Sequence, residues 1–401
     1  MRRLILAAAV APCLAASTAA AQRPDFAAFD AYVAKAVKAW NVPGLAIAIV
    51  ANDSVVFAKG YGVRTLGRPE PVDAHTRFAI GSTTKAMTAL ALLQAADDGK
   101  LRLDEPVLRH LPTMQLYDPV MTRELLVRDL LTHHTGLPGS DQLWAGNDYS
   151  IGEIIRRMRF LKPTASFRNQ YAYQNVQYAM AGEVLQQATG IRWSDWLRTR
   201  MWEPLGMRET LPTVAATEGQ PNVATPHMVI DDTLRVIANR TVDPVAPAGS
   251  VWSSVTDMAT WMRFVLDSGR VKGKRLVSER GFVDWLSPQV VVPLSDFYPA
   301  ARLAAVHRVS YGLGWFLHSY GGDDVAMHTG SIDGMIAIAG LLPDRRMGVY
   351  ILANRDHAEV RHALMYRAFD LYNGRRPRDW SREVMELFDG LEAQGRKAQA
   401  A

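Results

Sequence analysis

Phe78-Ala79-Ile80-Gly81-Ser82-Thr83-Thr84-Lys85-Ala86-Met87-Thr88-Ala89-Leu90-Ala91-Leu92-Leu93-Gln94-Ala95-Ala96 is the stretch on which the fold turns. From Lys85 to Ala96 nearly every position is apolar, and a helix apolar all round is a buried one. Gly99 and Lys100 mark its C-terminal end. A buried helix needs elements on every side, and the flanking sequence supplies them. Upstream, Phe26, Phe29, Val33, Val37 and Trp40 recur at helical spacing until Pro43-Gly44 ends the pattern. Residues 45–50 and 55–58 then read as two strands joined at Asn52-Asp53-Ser54, where Asn and Asp tolerate a left-handed turn. Far downstream, 311–317, 335–339 and 348–353 read as strands, with Pro343-Asp344-Arg345-Arg346 as a tight turn and a helix over 359–372.

Between these ends the chain is mostly helical pieces separated by Pro and Gly, with few strand-like alternations. Ser150-Ile151-Gly152-Glu153 has the capping-box pattern and opens a helix to about 160. A second helix covers 176–188 and stops at Gly190, and Ser254-Val255-Thr256-Asp257 opens a third, to about 266. Strands at both ends of a helical middle predict an α/β plus all-α chain. Its discontinuous antiparallel sheet, flanked by helices, comes from residues 22–100 and 300–374, and a mostly helical lobe is inserted at 101–299. Residues 375–401 read as a polar C-terminal tail. A cleft between two such lobes is a natural place for a site.

Residues 1–21 read as a signal peptide. Arg2 and Arg3 form a short positive head, 4–16 an apolar stretch, and Ala19-Ala20-Ala21 a small-residue site that predicts cleavage before Gln22. The stretch is shorter than the ~20 residues a spanning helix needs. The expectation is a periplasmic or secreted protein with no stable membrane insertion once the signal is removed. Buried N-terminal helix and lipid attachment at Cys13 are the competing readings. Cys13 is the only cysteine, so a chain cut after Ala21 has no thiol nucleophile, disulfide or thiolate metal site.

About 380 residues remain, enough for two lobes, and 48% hydrophobic with 21% charged residues is ordinary globular composition. The net charge of +5 falls to +3 when Arg2 and Arg3 leave (5 − 2 = 3). No block of five like charges and no basic–aromatic interleaving occurs, so nucleic acid is not an expected partner. The expected partner is a small molecule or short peptide.

Chemistry concentrates at three places. Ser82 and Lys85 are one helical turn apart and share a face. A serine hydroxyl is inert at neutral pH until a base takes its proton, and a lysine partly buried on an apolar helix is pushed toward neutrality. The helix N-terminus adds backbone N–H groups for a developing oxyanion. The plainer reading makes Ser82 a helix cap and Lys85 a solvated side chain.

Tyr173-Gln174-Asn175 puts a phenol and an amide on one face of an extended backbone. A phenol near a cationic lysine has a lowered pKa and can relay protons, and an amide can hold a substrate carbonyl or N–H. The plainer reading is a core tyrosine and a capping asparagine. His328-Thr329-Gly330 lies at a strand end, where glycine lets a substrate backbone approach and the Ser331 N–H can complete an oxyanion hole. Here the plainer reading is a turn with an exposed histidine. No G-x-S-x-G, H-E-x-x-H, P-loop or dinucleotide fingerprint occurs, so no cofactor or metal is expected. His133 and His134 are adjacent and cannot readily face one ion; they read as a structural loop pair.

In this order, S-x-x-K, Y-x-N and H-T-G resemble the serine β-lactamase and penicillin-binding-protein family, in particular its class C-like branch of β-lactamases, D-aminopeptidases and esterases. Val42-Pro43-Gly44, the run from Leu130 to Pro138 and Tyr311-Gly312-Leu313-Gly314-Trp315 resemble it too, and the resemblance spans residues 26–372. It implies Ser82 as acylated nucleophile, Lys85 and Tyr173 as its base system, Asn175 as a substrate-amide contact, His328, Thr329 and Gly330 along the substrate, and Ser82 and Ser331 N–H groups as oxyanion hole. Classical members carry K-T-G where this chain has His328, and histidine is charged only below about pH 6.5. That departure weakens a penicillin-specialised role and suits an esterase or a peptidase acting beside D-residues. Three functions follow: hydrolysis of amides in small peptides or in D-amino-acid-containing or β-lactam-like substrates, a broad-range carboxylesterase, or a penicillin-binding sensor without turnover.

Overall fold

The computed structural model describes residues 24–376 and 378–400. The expected signal peptide, its cleavage before Gln22 and Cys13 lie outside the described residues.

One antiparallel eight-stranded sheet organises the chain. Its strands are β1 (Gly44–Ala51), β2 (Ser54–Gly62), β3 (Val290–Val292), β4 (Val309–Tyr311), β5 (Phe316–Tyr320), β6 (Asp323–Ile332), β7 (Met335–Leu342) and β8 (Met347–Ala353), in the order β2-β1-β8-β7-β6-β5-β4-β3. The β1–β2 turn is left-handed at both Asn52 (φ 47°) and Asp53 (φ 63°), the hairpin geometry its sequence favours. Pairing of β1 with β8, in register Ile47 to Ile351, joins the two ends of the chain and makes the sheet discontinuous in sequence.

Because side chains alternate across a strand, β1 feeds two cores. Leu45, Ile47 and Ile49 pack with Ile336, Ile338 and Ile351 against α1 (Phe26–Ala39) and α5 (Val360–Asp370). Ala46, Ala48 and Val50 pack with Ala337, Ala339 and Leu352 against α2 (Thr84–Asp97) and α4 (Val255–Leu266). Alanines on that second face let helices lie close to the sheet. Helix α2 is buried all round, as its composition predicts. Its few polar residues are used: Trp193 Nε1 donates to Thr88 Oγ1 (2.9 Å) and Trp196 Nε1 to Gln94 Oε1 (3.0 Å).

Three expectations are corrected. Residues 311–317 are not one strand but the end of β4 and the start of β5, split where Gly314 (φ +85°) packs against the Lys85–Ala86 backbone. The helical middle also holds short strand pairs, among them Phe78–Ala79 with Trp252–Ser253 and His227–Ile230 with Thr233–Val236. The polar tail contains a helix, α6 (Trp380–Ala400), anchored by a fully buried Trp380 that stacks on Tyr366 at 4.8 Å and donates to Asp370 Oδ2 (2.7 Å). Two buried anchors, Trp380 and Val384, are enough to dock a helix whose composition is otherwise polar. Among the described residues no helix is long and apolar enough to cross a membrane.

Candidate active site

Ser82 sits in the 3-10 turn Gly81–Thr83 that leads into α2. Lys85, one turn on, is fully buried, and its Nζ lies 3.0 Å from Ser82 Oγ, 2.7 Å from Asn175 Oδ1 and 2.9 Å from the Ala248 carbonyl oxygen. Burial holds Lys85 well below the usual lysine range, against a smaller opposing pull from Asp141. The solvated-lysine reading is therefore excluded.

Asn175 opens α3 (Asn175–Thr189) and is not its cap; that position belongs to Gln174, in extended conformation. Tyr173, two residues earlier, places its ring 4.8 Å from Lys85 Nζ. The expected lowering of its pKa is corrected. Burial raises Tyr173 well above the ordinary tyrosine value, Tyr298 pushes the same way, and Ser82 acts in the opposite sense more weakly. Desolvation of the phenolate dominates, so Tyr173 stays a proton-bearing phenol.

Strand β6 brings the last group. Its turn contact is unusually close: a Cβ on Gly330 would lie 1.9 Å from the Ile80 carbonyl oxygen, and one on Gly81 (φ +52°) 2.7 Å from the Ser331 nitrogen. Gly330 was expected to admit a substrate backbone. What approaches is the chain's own Ile80–Gly81 segment, and this brings the Ser331 amide beside the Ser82 turn. Thr329 Oγ1 donates to the Tyr298 hydroxyl (2.6 Å). Arg361, itself buried, donates to the Gly330 carbonyl (2.7 Å) and Ser331 Oγ (2.8 Å) while its other nitrogens hold Glu359.

His328 is buried, not exposed. Its Nδ1–H faces the Thr329 carbonyl (2.6 Å), which leaves Nε2 to accept from the Tyr311 hydroxyl (3.0 Å). Burial, with Lys85 adding to it, pushes His328 down to about 3, so it is neutral at physiological pH. It supplies no cation for a substrate carboxylate.

All eight residues singled out in the sequence thus converge on one place. Several neighbours carried no usable signal. The Ala248 carbonyl is backbone, and Asp141, whose Oδ1 accepts from Asn175 Nδ2 (3.0 Å), lies in a loop of no recognisable pattern. His133 and His134 diverge. His133 accepts from the Gln174 N–H (3.1 Å), its ring 4.3 Å from that of Tyr173, whereas His134 turns to Thr132 (2.6 Å). A separate cavity of about 790 Å³ at the β3 edge is lined by Val291, Leu294, Leu317 and Pro343 and contains none of these residues. Among the described residues no cluster of His, Cys, Asp or Glu is arranged to hold a metal.

A sheet covered on both faces, a buried helix entered through the serine-bearing turn and a helical region beside it define the β-lactamase/transpeptidase-like fold. The chain belongs to the Beta-lactamase family, whose model matches residues 29–372, and proteins of this family are hydrolases. Unguisins hydrolase ungD of Aspergillus violaceofuscus is similar at 28% identity over 81% of this chain and 60% of its own length, so the chain spans about three fifths of that relative. Among solved structures, an octameric penicillin-binding protein homologue from Pyrococcus abyssi superposes with a TM-score of 0.76 at 23% identity, covering 88% of this chain and 78% of that one. A D-stereospecific amidohydrolase from Streptomyces sp. superposes at 0.69 with 21% identity, covering 86% of this chain and 99% of its own.

Proposed function

We propose that this protein is an exported serine hydrolase that cleaves amide bonds of small peptides through an acyl-enzyme on Ser82. The observation that carries the reading is Ser82 Oγ 3.0 Å from a fully buried Lys85 whose two other contacts are acceptors. Export rests on the Arg2-Arg3 head and the apolar stretch behind it. The name of the ungD relative, a hydrolase of unguisins, supports the hydrolytic direction.

In the proposed cycle, Ser82 Oγ attacks the substrate carbonyl carbon and its proton passes to Lys85 Nζ. The Ser82 and Ser331 N–H groups hold the oxyanion. As the C–N bond breaks, the leaving nitrogen takes a proton from the Tyr173 hydroxyl, which Lys85 restores. Water then attacks the acyl carbon, giving its proton to Lys85, and the Ser82–acyl bond breaks with the hydroxyl regained. No cofactor enters.

The test is kcat/KM for a matched amide and ester of one D-alanyl group, with Ser82→Ala as blank. Ser82→Ala is expected to lower kcat by at least about 10³-fold while leaving the fold intact by circular dichroism. Activity near wild type in that variant refutes the assignment. Ester cleavage without amide cleavage replaces the amidase reading by an esterase, and a persistent penicillin adduct without turnover replaces it by a sensor.

A further inference from the structure

The charges around Ser82 are unevenly arranged. His328 is neutral, its two nitrogens occupied by Thr329 and Tyr311. Arg361 is paired with Glu359, and its Nη1 donates to the Gly330 carbonyl and Ser331 Oγ. Among the described residues the β6 side of the site thus offers no free cation. On the opposite side stands a carboxylate, Asp141, in the short turn Asp141–Leu143.

Asp141 is fastened through one oxygen. Its Oδ1 accepts from Asn175 Nδ2 (3.0 Å) and from Trp144 Nε1 (2.8 Å). Its Oδ2 accepts no hydrogen bond among the described residues, and no lysine or arginine among them pairs with it. An unbroken line of hydrogen bonds, Ser82–Lys85–Asn175–Asp141, sets this carboxylate on the Asn175 side of the nucleophile. Its field reaches the centre of the site, because Asp141 is what opposes the effect of burial on Lys85. A carboxylate already held in place on an exposed residue, with one oxygen unengaged, binds a cation at little further ordering cost.

We infer that Asp141, beside Asn175, forms a subsite for a protonated primary amine on the acyl portion of the substrate. The inference rests on the acyl-enzyme reading of Ser82. Asn175 Nδ2 gives one N–H to Asp141 Oδ1 and Asn175 Oδ1 accepts from Lys85, while Asp141 Oδ2 is left unengaged, so this corner can accept hydrogen bonds from a ligand through that oxygen. An ammonium is a three-donor cation with no acceptor and matches that demand. An N-acylated amine has lost both the charge and two of the donors.

The test compares D-alanine p-nitroanilide with N-acetyl-D-alanine p-nitroanilide on wild type and Asp141→Asn. An asparagine oxygen at 141 still accepts from Asn175 and Trp144, so the variant removes the charge and keeps the strut. The free-amine substrate is expected to be preferred by wild type, and Asp141→Asn to lower the ratio of the two kcat/KM values at least tenfold. Equal loss on both substrates overturns the inference, because Asp141 then acts only by holding Asn175. So does a wild-type preference for the acetylated compound. Binding of D-alaninamide to Ser82→Ala, with and without Asp141→Asn, separates the two levels. Weaker binding only in the double variant supports the amine subsite even where acylation at Ser82 fails, and identical binding in both overturns it.

Discussion

Lys85 has three hydrogen-bond partners, and two of them, the Ala248 carbonyl and Asn175 Oδ1, can only accept. A neutral amine has two N–H donors and one lone pair, so the third partner, Ser82, must then donate to it. Burial favours that neutral form. The sign follows for pH: the working lysine is unprotonated, so kcat/KM rises with pH through a pKa well below 10.5 and levels off. Tyr173, held above the ordinary tyrosine range, adds no falling limb below about pH 10. Lys85→Arg keeps a cation that does not deprotonate and is expected to lose at least about 10³-fold in kcat/KM. A rising limb that begins only at the ordinary lysine value, or an arginine variant within tenfold of wild type, refutes the neutral-base assignment. The serine, lysine, tyrosine and asparagine were legible because their spacings put them on shared faces. Tyr173's pKa was read with the wrong sign because a sequence displays the neighbouring charge and not the burial that overrides it. The Ala248 carbonyl and Asp141 left no trace, since one is backbone and the other is brought in by a loop.

At the scale of elements, the decisive contact is β6 against the turn carrying Ser82. Gly330→Ala would set a Cβ 1.9 Å from the Ile80 carbonyl oxygen and 3.2 Å from the Gly81 carbonyl carbon, backbone atoms that no rotamer change can move. The strand must shift outward, and the Ser331 amide shifts with it. The expected cost is about 1–3 kcal/mol of stability from overpacking. The expected fall in kcat/KM is about 10²-fold, because a ~1 Å misplacement at a reacting centre has that order of effect. Urea unfolding and steady-state kinetics on the same variant check both, and stability lost with kcat/KM unchanged would detach β6 from oxyanion binding. Strands β1, β7 and β8 were legible as apolar runs. The split between β4 and β5 was not, because Gly314 turns there to meet the backbone of α2, a partner more than 220 residues away in sequence. Helix α6 was hidden for the opposite reason: its docking depends on Trp380 and Val384, too few apolar positions to stand out in a polar segment.

For the whole molecule, the apolar core does not divide where the sequence divides. Residues of α2 share one buried cluster with Ala46, Ala339 and Leu352 of the sheet and with Trp193, Trp196 and Met201 of the helical region. A chain of this length ordinarily unfolds in parts. Here α2 is the common wall of both regions, so neither can open without exposing the other's apolar surface. Leu90, fully buried on α2, is the place to test this. Leu90→Ala is expected to cost about 2–5 kcal/mol through lost burial and the cavity left behind. Native-state hydrogen exchange should report that loss equally for the slowest amides of β7 and β8 and for those of α3, because all of them exchange through one shared opening. A loss confined to the sheet, or to α3 alone, would mean two cores that merely touch, and Ser82 would then lie on a hinge rather than inside a single cooperative unit.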